Sequence, residues 1–426
     1  MPRSFSPVPW AYRTNLYEVN VRQYTPEGSF TAFAQHLSRL RDMGVETLWF
    51  MPVTPISHKV RQGTLGSYYA CSSYTRINPE FGTHGDFAAL VSQAHELGMK
   101  VIIDWVANHT GWDHEWTLSH PGFFKRNGAG EFYDKNGWHD VIDLNYYDGE
   151  MRAAMIEAMA YWVREFGIDG FRCDMAHLVP LDFWRQARQA LDVEKPLFWL
   201  AETEDVHYLD VFDCCYAWHW MHETEHYIKG TTGLSQLKAV LERYANEFPV
   251  DTFQLFFTSN HDENSWNGTE YEKYGPAAKA LAVFSCTWNG LPLIYSGQEL
   301  PNTRRLKFFD KDLIEWTHLP LLHGFYKSLL ELRSSHPALR TGITAKPAWV
   351  PFSDSAHVFS FRRRNEGGEL LVVLNLSDET VAAELLCDQL MGGTYRELFS
   401  GASQALHRGA SFIMKPWEAT VWVSEK

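Results

Sequence analysis

The chain lacks several features that would assign it to other classes of protein. Its 426 residues contain only six scattered cysteines and no C-x-x-C pair, which argues against a disulfide scaffold and indicates free, buried thiols. No apolar run approaches the roughly 20 residues that cross a bilayer, and the first residues lack the apolar stretch of a signal peptide. We therefore expect a cytoplasmic protein, with a secreted form whose leader has been removed left open.

Positive charge is also scarce. Lys and Arg number 38 against 52 Asp and Glu, and the net charge of −14 at pH 7 argues against binding to nucleic acid or to a membrane surface. The 21% of charged residues is ordinary for a globular chain, which excludes the disordered and coiled-coil classes. Aromatic residues are abundant at 15%, and such a surplus suits a site that stacks on the flat faces of sugar rings.

The first 340 residues alternate short β-rich runs with segments whose apolar residues repeat at helical spacing. About eight strand-then-helix units, spaced as right-handed crossovers, predict an α/β fold that is a closed (β/α)8 TIM barrel. No G-x-G-x-x-G opens a helix after the first strand, which weighs against a dinucleotide-binding fold. The predicted strands are Leu16–Asn20, Thr47–Pro52, Val101–Val106, Ile168–Cys173, Leu197–Ala201, Val211–Cys215, Gln254–Thr258 and Leu293–Tyr295.

Two segments depart from this alternation. Residues 109–147 are rich in Gly, Asn, Asp, His and Trp and have no periodicity, which predicts a short domain inserted after the third strand. From residue 341 the pattern turns to strands between turn residues, which predicts a C-terminal antiparallel β-sandwich over 341–426. The barrel itself is then expected to comprise residues 1–108 and 148–340.

Polar groups stand at the ends of four predicted strands, where the active site of a (β/α)8 barrel lies. These groups are Asp104 with Asn108 and His109, Arg172 with Asp174, Glu202, and His261 with Asp262. Strand alternation puts Arg172 and Asp174 on one face, and a guanidinium beside a carboxylate favours the ionised form that a nucleophile needs. Apolar walls and other carboxylates around Glu202 favour a protonated acid that can donate.

One ionised and one protonated carboxyl group, about 5–5.5 Å apart, are what retaining glycoside hydrolysis requires. Asp262 would add a third acidic group, and His109 and His261 could hold sugar hydroxyls. Any one of these carboxylates by itself is explained as well by an ion pair or a helix cap. Because four strand ends of one barrel carry such groups, a catalytic site is the better explanation.

The same strand ends resemble the four short conserved regions of the α-amylase superfamily, glycoside hydrolase family 13. The matching segments, in that family's order, are Asp104-x-x-x-Asn108-His109, Gly170-Phe171-Arg172-x-Asp174, Glu202 closing a strand, and Ser259-Asn260-His261-Asp262. Further segments that look like the family's are Tyr69 with Gly82-Thr83, Asp143-Leu144-Asn145, and Gly297-Gln298-Glu299. The resemblance spans about residues 12–340, and the β-rich tail fits the family's C-terminal domain.

The resemblance implies a role for each matching residue. Asp174 resembles the nucleophile that forms the covalent glycosyl-enzyme, Glu202 the general acid/base, and Asp262 the third carboxylate, which grips and distorts the reacting sugar. The residues that resemble the lining of that subsite are Arg172, His109, His261 and Tyr69. One departure is Ser73, which stands where the family commonly has an Asp, four residues after the Tyr.

The resemblance also implies a structural calcium ion between the barrel and the inserted domain. Asn108, Asp143 and the carbonyl of His177 stand where the family's ligands would fall, and hard oxygen donors on separate segments suit calcium. The alternative is that Asn108 and Asp143 hydrogen-bond to each other or to nearby backbone. No organic cofactor is expected.

The segment His222-Glu223-Thr224-Glu225-His226 matches H-E-x-x-H, the pattern of zinc proteases. His219 could lie on the same helical face, so the geometry would permit a metal site. A zinc protease would leave the four carboxylate-bearing strand ends unexplained and has no obvious third ligand. A packed or solvated helix is the simpler interpretation, with a structural metal as the alternative.

The sequence therefore predicts a retaining glycoside hydrolase that cleaves α-1,4-glucosidic bonds in starch-type glucans and maltooligosaccharides, an α-amylase in the first place. The short insertion and Ala176-His177 after the nucleophile look amylase-like. An α-glucosidase, a cyclomaltodextrinase or a 4-α-glucanotransferase of the same family is the alternative, because transfer uses the same intermediate. A catalytically silent carbohydrate-binding protein is a distant one, since it would be expected to lack a carboxylate. The sequence gives no oligomeric state.

Overall fold

A closed barrel of eight parallel strands forms the larger part of the computed structural model, which describes residues 4–317, 320–342, 345–354 and 356–425. The barrel strands β1 to β8 are Leu16–Val19, Thr47–Phe50, Lys100–Trp105, Gly170–Cys173, Phe198–Ala201, Cys214–Tyr216, Phe253–Phe256 and Leu291–Tyr295. Each strand pairs with the next along the chain, and β1 closes the ring by pairing with β8 through Leu16 and Leu293. The predicted TIM-barrel fold is confirmed.

The barrel interior is a packed core and not a channel. Inward-facing side chains from different strands form one buried cluster that includes Leu16, Trp49, Ile102, Leu200 and Leu255. The outward-facing side chains are buried as well, beneath the surrounding helices. Because strands buried on both faces read as apolar runs, the sequence pattern located them well. Polar side chains are left to the open end of the barrel, where the strands finish.

Helices alternate with the strands, and local signals set their ends. The longest helix begins after Asp148, whose side chain accepts from the amides of Glu150 and Met151, and it ends at Gly167 with φ 64°. The principal helices are Phe30–Ala34, Leu37–Asp42, His84–Glu96, Gly149–Phe166, Leu181–Leu191, Trp218–Ile228, Leu234–Glu247, Glu270–Tyr274, Ala278–Thr287 and His323–Ser335. The strand predicted at Val211–Cys215 begins only at Cys214, because residues 206–210 turn in a 3-10 helix capped by Asp205.

The predicted insertion follows β3 and contains a two-stranded antiparallel pair, His109–Gly111 with Val141–Asp143. Its outer boundaries at 109 and 147 stay predictions.

Antiparallel sheets form the C-terminal part of the chain, as the sequence predicted. A six-stranded sheet and a two-stranded sheet pack around an apolar cluster of their own. Their strands are Ala348–Trp349, Val358–Asn365, Gly368–Asn375, Val381–Glu384, Thr394–Glu397, Ser403–Ala405, Ser411–Met414 and Ala419–Ser424. The sequence pattern predicts the three long strands, as His357–Arg362, Glu369–Leu376 and Glu418–Val423. It misses the others because runs of two to four residues carry too little alternation.

In the described ranges, no helix has both the length and the apolar composition needed to traverse a membrane. All six cysteines are free thiols in buried positions.

Candidate active site

A pocket of about 330 Å³ opens at the carboxyl ends of the barrel strands. Asp174 follows β4, Glu202 follows β5 and Asp262 lies in the connection after β7, and the pocket brings all three together. Of the other predicted site residues, Tyr69 and His109 also line it. The remaining lining residues are Gln62, Ser67, Trp138, Asp140, Val141, Met175, Trp266, Phe308 and Phe309.

The Arg172 guanidinium lies completely buried beneath this pocket and contacts three carboxylates. Its Nη1 atom is 2.9 Å from Asp104 Oδ1 and 3.1 Å from Asp174 Oδ1, and its Nη2 atom is 2.8 Å from Glu202 Oε1. Because Asp174 and Glu202 contact the two ends of one guanidinium, their carboxyl groups are close neighbours. The contacts of Arg172 thus bring two strand ends into one reaction centre.

Asp104 also belongs to this centre. It lies within one of the sequence motifs, but the sequence predicted no role for it. Its Oδ2 accepts from the Trp49 indole at 3.2 Å and from the Tyr69 hydroxyl at 3.1 Å. Burial raises the pKa of Asp104 to about 6, against the opposing effect of Arg172. An acidic residue inside the apolar run of β3 was the signal that could have revealed this buried partner.

The backbone after Asp174 is shaped to orient Glu202. Met175 adopts φ 41°, in the left-handed region that a side chain with a Cβ rarely occupies. In this conformation its amide donates to Glu202 Oε2 at 2.7 Å. Glu202 is therefore held at one oxygen by the Met175 amide and at the other by Arg172, and the strained turn belongs to the site.

Asp174 departs from the expectation that Arg172 would keep it fully ionised. Burial and the neighbouring Glu202 carboxylate raise the pKa of Asp174 well above its usual range, and Arg172 opposes them only in part. The surroundings of Asp174 therefore do not favour the ionised carboxylate that the sequence predicted, and its role as nucleophile stays a prediction.

The two histidines of the site carry different charges. Burial lowers the pKa of His109 to about 4, so this ring is neutral, and Asn108 Nδ2 lies 3.1 Å from its Nδ1. His261 lies beside two carboxylates, Asp262 and Glu18, which raise its pKa well above the usual range against the effect of burial. His109 lines the pocket itself, whereas the cationic His261 lies behind two of the lining residues, Tyr69 and Asp262.

Aromatic side chains form the outer wall of the pocket. Trp266 is 57% exposed and packs against Phe308 and Phe309 at ring-centroid distances of 5.4 and 5.7 Å. Trp138 also lines the pocket, is 36% exposed and meets His109 edge to face at 5.3 Å. Half-exposed rings at a polar pocket suit a ligand that offers flat apolar faces together with hydroxyl groups.

The residues predicted to hold calcium do not fit such a site well. Asp143 is completely buried, and its Oδ2 is 2.9 Å from the Lys125 ammonium. The His177 carbonyl already accepts from the Tyr208 hydroxyl at 3.1 Å. Two candidate ligands for the ion remain, Asn108 and the buried Oδ1 of Asp143. This Asp143 oxygen lacks a hydrogen-bond partner within the described residues. The Lys125 ammonium already neutralises the Asp143 carboxylate, and it would repel a divalent cation bound there. The calcium site therefore stays a prediction.

The H-E-x-x-H segment lies on the helix Trp218–Ile228. In the part of the chain that the structure describes, no three His, Cys, Asp or Glu side chains are grouped to hold a metal ion. The His222 ring stacks on Trp218, and His226 lies 3.8 Å from Glu223 on the same helix. These contacts fit the interpretation of a packed, partly solvated helix.

Comparison with known protein families agrees with this geometry. The family model "Alpha amylase, catalytic domain" matches residues 11–122 and 123–196, and "Domain of unknown function (DUF3459)" matches residues 351–421. An alpha-amylase from Haloarcula japonica is 27% identical over 92% of this chain. The chain spans 60% of that relative's length, and 65–67% of the next two curated relatives.

Solved structures match over nearly the whole chain. A noncanonic maltogenic alpha-amylase from Thermotoga neapolitana is 30% identical, with a TM-score of 0.89 over 97% of this chain and 99% of that one. An alpha-amylase from Lactobacillus plantarum is 29% identical, with a TM-score of 0.88 over the same shares. Both matches include the barrel and the C-terminal sheets.

Proposed function

The chain belongs to the alpha-amylase family of glycoside hydrolases, and from this premise we propose that it is a retaining α-amylase. Its substrates would be starch-type glucans and maltooligosaccharides, cleaved at α-1,4-glucosidic bonds. One observation carries the proposal: Asp174 and Glu202, from two different strands, share a single buried guanidinium at the wall of an aromatic-rimmed pocket. A location in the cytoplasm remains part of the prediction.

In the first step, Glu202 donates its proton to the glycosidic oxygen while an Asp174 oxygen attacks the anomeric carbon. The bond from that carbon to the glycosidic oxygen breaks, and the released glucan leaves with the proton. The product is a glycosyl ester on Asp174. The step starts with Glu202 protonated and Asp174 ionised, and the Arg172 guanidinium contacts both carboxyl groups.

In the second step, the Glu202 carboxylate takes a proton from a water molecule whose oxygen attacks the same carbon. The ester bond breaks and Asp174 regains its charge, so two inversions give overall retention. Asp262 lines the pocket, and its Oδ2 lies 3.3 Å from Nε2 of the His261 imidazolium behind it. This pair is the group we expect to grip the hydroxyls of the reacting glucose.

The proposal is tested with Asp174→Asn, which keeps the shape of the side chain and removes the nucleophile. Release of reducing sugar from soluble starch is expected to fall by at least ~10³-fold in kcat. Asp182→Asn is the matched control, because Asp182 is an exposed aspartate paired with Arg152 outside the pocket, and its activity should stay within about twofold of wild type. Equal release by the wild type and by Asp174→Asn would remove the mechanism.

Stereochemistry gives a separate test of the same mechanism. Proton NMR of the first products from the wild-type protein should show the α-anomer ahead of mutarotation. A burst of the β-anomer would mean inversion, with water and not Asp174 as the attacking group.

Hydrolysis and transfer share the glycosyl ester and differ only in whether water or a sugar hydroxyl attacks it. We infer hydrolysis, as in an amylase, as the main reaction, with transfer as the alternative. The relative from Thermotoga neapolitana is described as maltogenic, which makes short products an expectation for this chain too. Incubation with a ladder of maltooligosaccharides separates the cases. Shorter products indicate hydrolysis, and products longer than the substrate indicate transfer. Cleavage of cyclomaltodextrin in preference to starch would instead indicate a cyclomaltodextrinase.

A further inference from the structure

Glu18 is a buried carboxylate that none of the steps above uses. It lies in β1, on the same inward face as Leu16, and is completely buried. Its Oε1 is 2.5 Å from His261 Nδ1, and its Oε2 has no hydrogen-bond partner among the residues that the structure describes. Burying a carboxylate is costly unless a nearby charge compensates it, so its position in the barrel interior requires an explanation.

The other side of the His261 ring lies against two residues that line the pocket. Its Nε2 lies 2.7 Å from the Tyr69 hydroxyl and 3.3 Å from Asp262 Oδ2. The Tyr69 hydroxyl donates its own proton to Asp104 Oδ2, so toward His261 it offers a lone pair. A carboxylate at Asp262 can only accept. Both ring nitrogens of His261 therefore face acceptors, and both must carry a proton to satisfy them.

The ring stands between elements that bear charges of both signs. Glu18 on β1 and Asp262 beside the ring raise the pKa of His261, while burial lowers it. Burial raises the pKa of Glu18, and His261 and Arg172 lower it. The charged or titratable groups that face His261 from the elements packed against it are Glu18, Tyr69, Asp104, Arg172 and Asp262.

We propose that Glu18 is a positioning residue that holds His261 as an imidazolium and directs its Nε2–H toward Tyr69 and Asp262, two residues that line the pocket. Glu18 touches no substrate and acts only through the ring. The imidazolium in turn lowers the pKa of Asp262, which keeps this carboxylate ionised and able to accept from sugar hydroxyls. The kinetic consequences rest on the proposed function, whereas the protonation state of His261 does not.

The direct test is ¹⁵N NMR of histidine-labelled protein, with the His261 signals assigned from the His261→Asn variant. In the wild type at pH 7.5, both ring nitrogens of His261 are expected to show imidazolium shifts. Glu18→Gln keeps the size of the side chain and an accepting oxygen but removes the charge, so the ring is expected to be neutral at the same pH. Glu18→Asp keeps the charge and should retain the imidazolium.

Asp42→Asn is the matched control. Asp42 Oδ2 lies 3.0 Å from His323 Nε2 on the protein surface, so this variant removes a carboxylate from another histidine. It should leave both the His261 signals and the activity unchanged.

Kinetics supply the second readout. In Glu18→Gln the alkaline limb of the kcat/KM profile should move to lower pH by about one unit, with an about tenfold loss at pH 8. Loss of fold alone would lower activity at every pH and leave the limb in place. In a His261→Asn background, Glu18→Gln should have no further effect on this limb, because the ring through which it acts is gone.

A neutral His261 in the wild type at pH 7.5 would overturn the proposal, and this outcome needs no variant to fold. An imidazolium that persists unchanged in folded Glu18→Gln would overturn it as well. If the NMR result is as expected but no glucan is cleaved by the wild type, the proposed function fails and the role of Glu18 stands.

Discussion

Arg172 and Arg363 are both completely buried guanidinium groups, yet their surroundings differ in kind. Arg172 contacts three carboxylates at the mouth of the barrel. Arg363, in the strand Val358–Asn365, donates to backbone carbonyls at the opposite side, among them Trp288 O at 2.9 Å and Arg340 O at 2.8 Å. One charge is surrounded by opposite charges that outnumber it, and the other is surrounded by dipoles.

The difference distinguishes a reaction centre from a purely structural contact, one that fixes the C-terminal strand to the barrel. Carbonyl dipoles around Arg363 have no proton to exchange, so this site ties the C-terminal strand to the barrel in one fixed state. The carboxyl groups around Arg172 outnumber this one cation, and their repulsion adds to burial in raising the pKa of Asp174, so that a proton can be held there. Chemistry at neutral pH needs such a proton, and a purely structural contact does not.

Removal of Arg172 should produce the largest effect. In Arg172→Met the pKa of Asp174 should rise further, the nucleophile should stay protonated, and kcat should fall by about 10³-fold or more. A carboxyl group whose pKa in the folded state lies above the unfolded value stabilises the fold at low pH and loses that contribution as pH rises. The melting temperature of Arg172→Met should therefore fall more steeply than that of the wild type between pH 5 and 8. Parallel pH dependences in thermal melts would contradict this account.

Arg363→Met is the counterpart on the structural side. The substitution leaves several buried carbonyls without a donor, and we expect a loss of about 3–5 kcal/mol in the free energy of unfolding. Within the described ranges the hydrogen-bond acceptors of Arg363 are carbonyl oxygens and not carboxylates, so this loss should be the same at pH 5 and pH 8. Starch hydrolysis by the folded protein at 25 °C should stay within about twofold of wild type. A large drop in kcat with normal stability would erase the distinction between the two arginines.

The comparison also shows how far the sequence could be read. The barrel followed from alternating strand and helix patterns, and Asp174, Glu202 and Asp262 were selected because they end strands. The partners that fix their charge could not be found in this way. Glu18 on β1 meets His261 in the connection after β7, and Asp104 on β3 is paired with Arg172 on the neighbouring β4. Such contacts depend on strand register and side-chain rotamers that no local pattern encodes. The catalytic roles themselves remain predictions until variants are measured.

Lys125 and Asp143 form an intermediate case, with one ammonium for one buried carboxylate. Lys125→Met should cost about 1–3 kcal/mol of stability, because the pair is partly reached by solvent at Lys125. If the ammonium supplies the charge that calcium supplies elsewhere, a chelator should leave the wild-type melting temperature unchanged. Added calcium should then restore part of the stability of Lys125→Met. A fall of the wild-type melting temperature in chelator, reversed by calcium, would instead support the predicted metal site.

The smallest effect is expected at the aromatic rim of the pocket. Trp266 is 57% exposed beside Phe308 and also hydrogen-bonds to Asp262, so Trp266→Ala removes a stacking face together with one of several groups that stabilise the Asp262 carboxylate. KM for maltooligosaccharides should rise about 3–10-fold, which corresponds to roughly 1 kcal/mol, with kcat nearly unchanged, because stacking binds ground state and transition state alike. Tyr147→Ala provides the control, since Tyr147 is 98% exposed and outside the pocket. If kcat fell instead of KM rising, Trp266 would belong with Arg172 among the groups that act on the reacting bond, and the rim could no longer be separated from the charged centre.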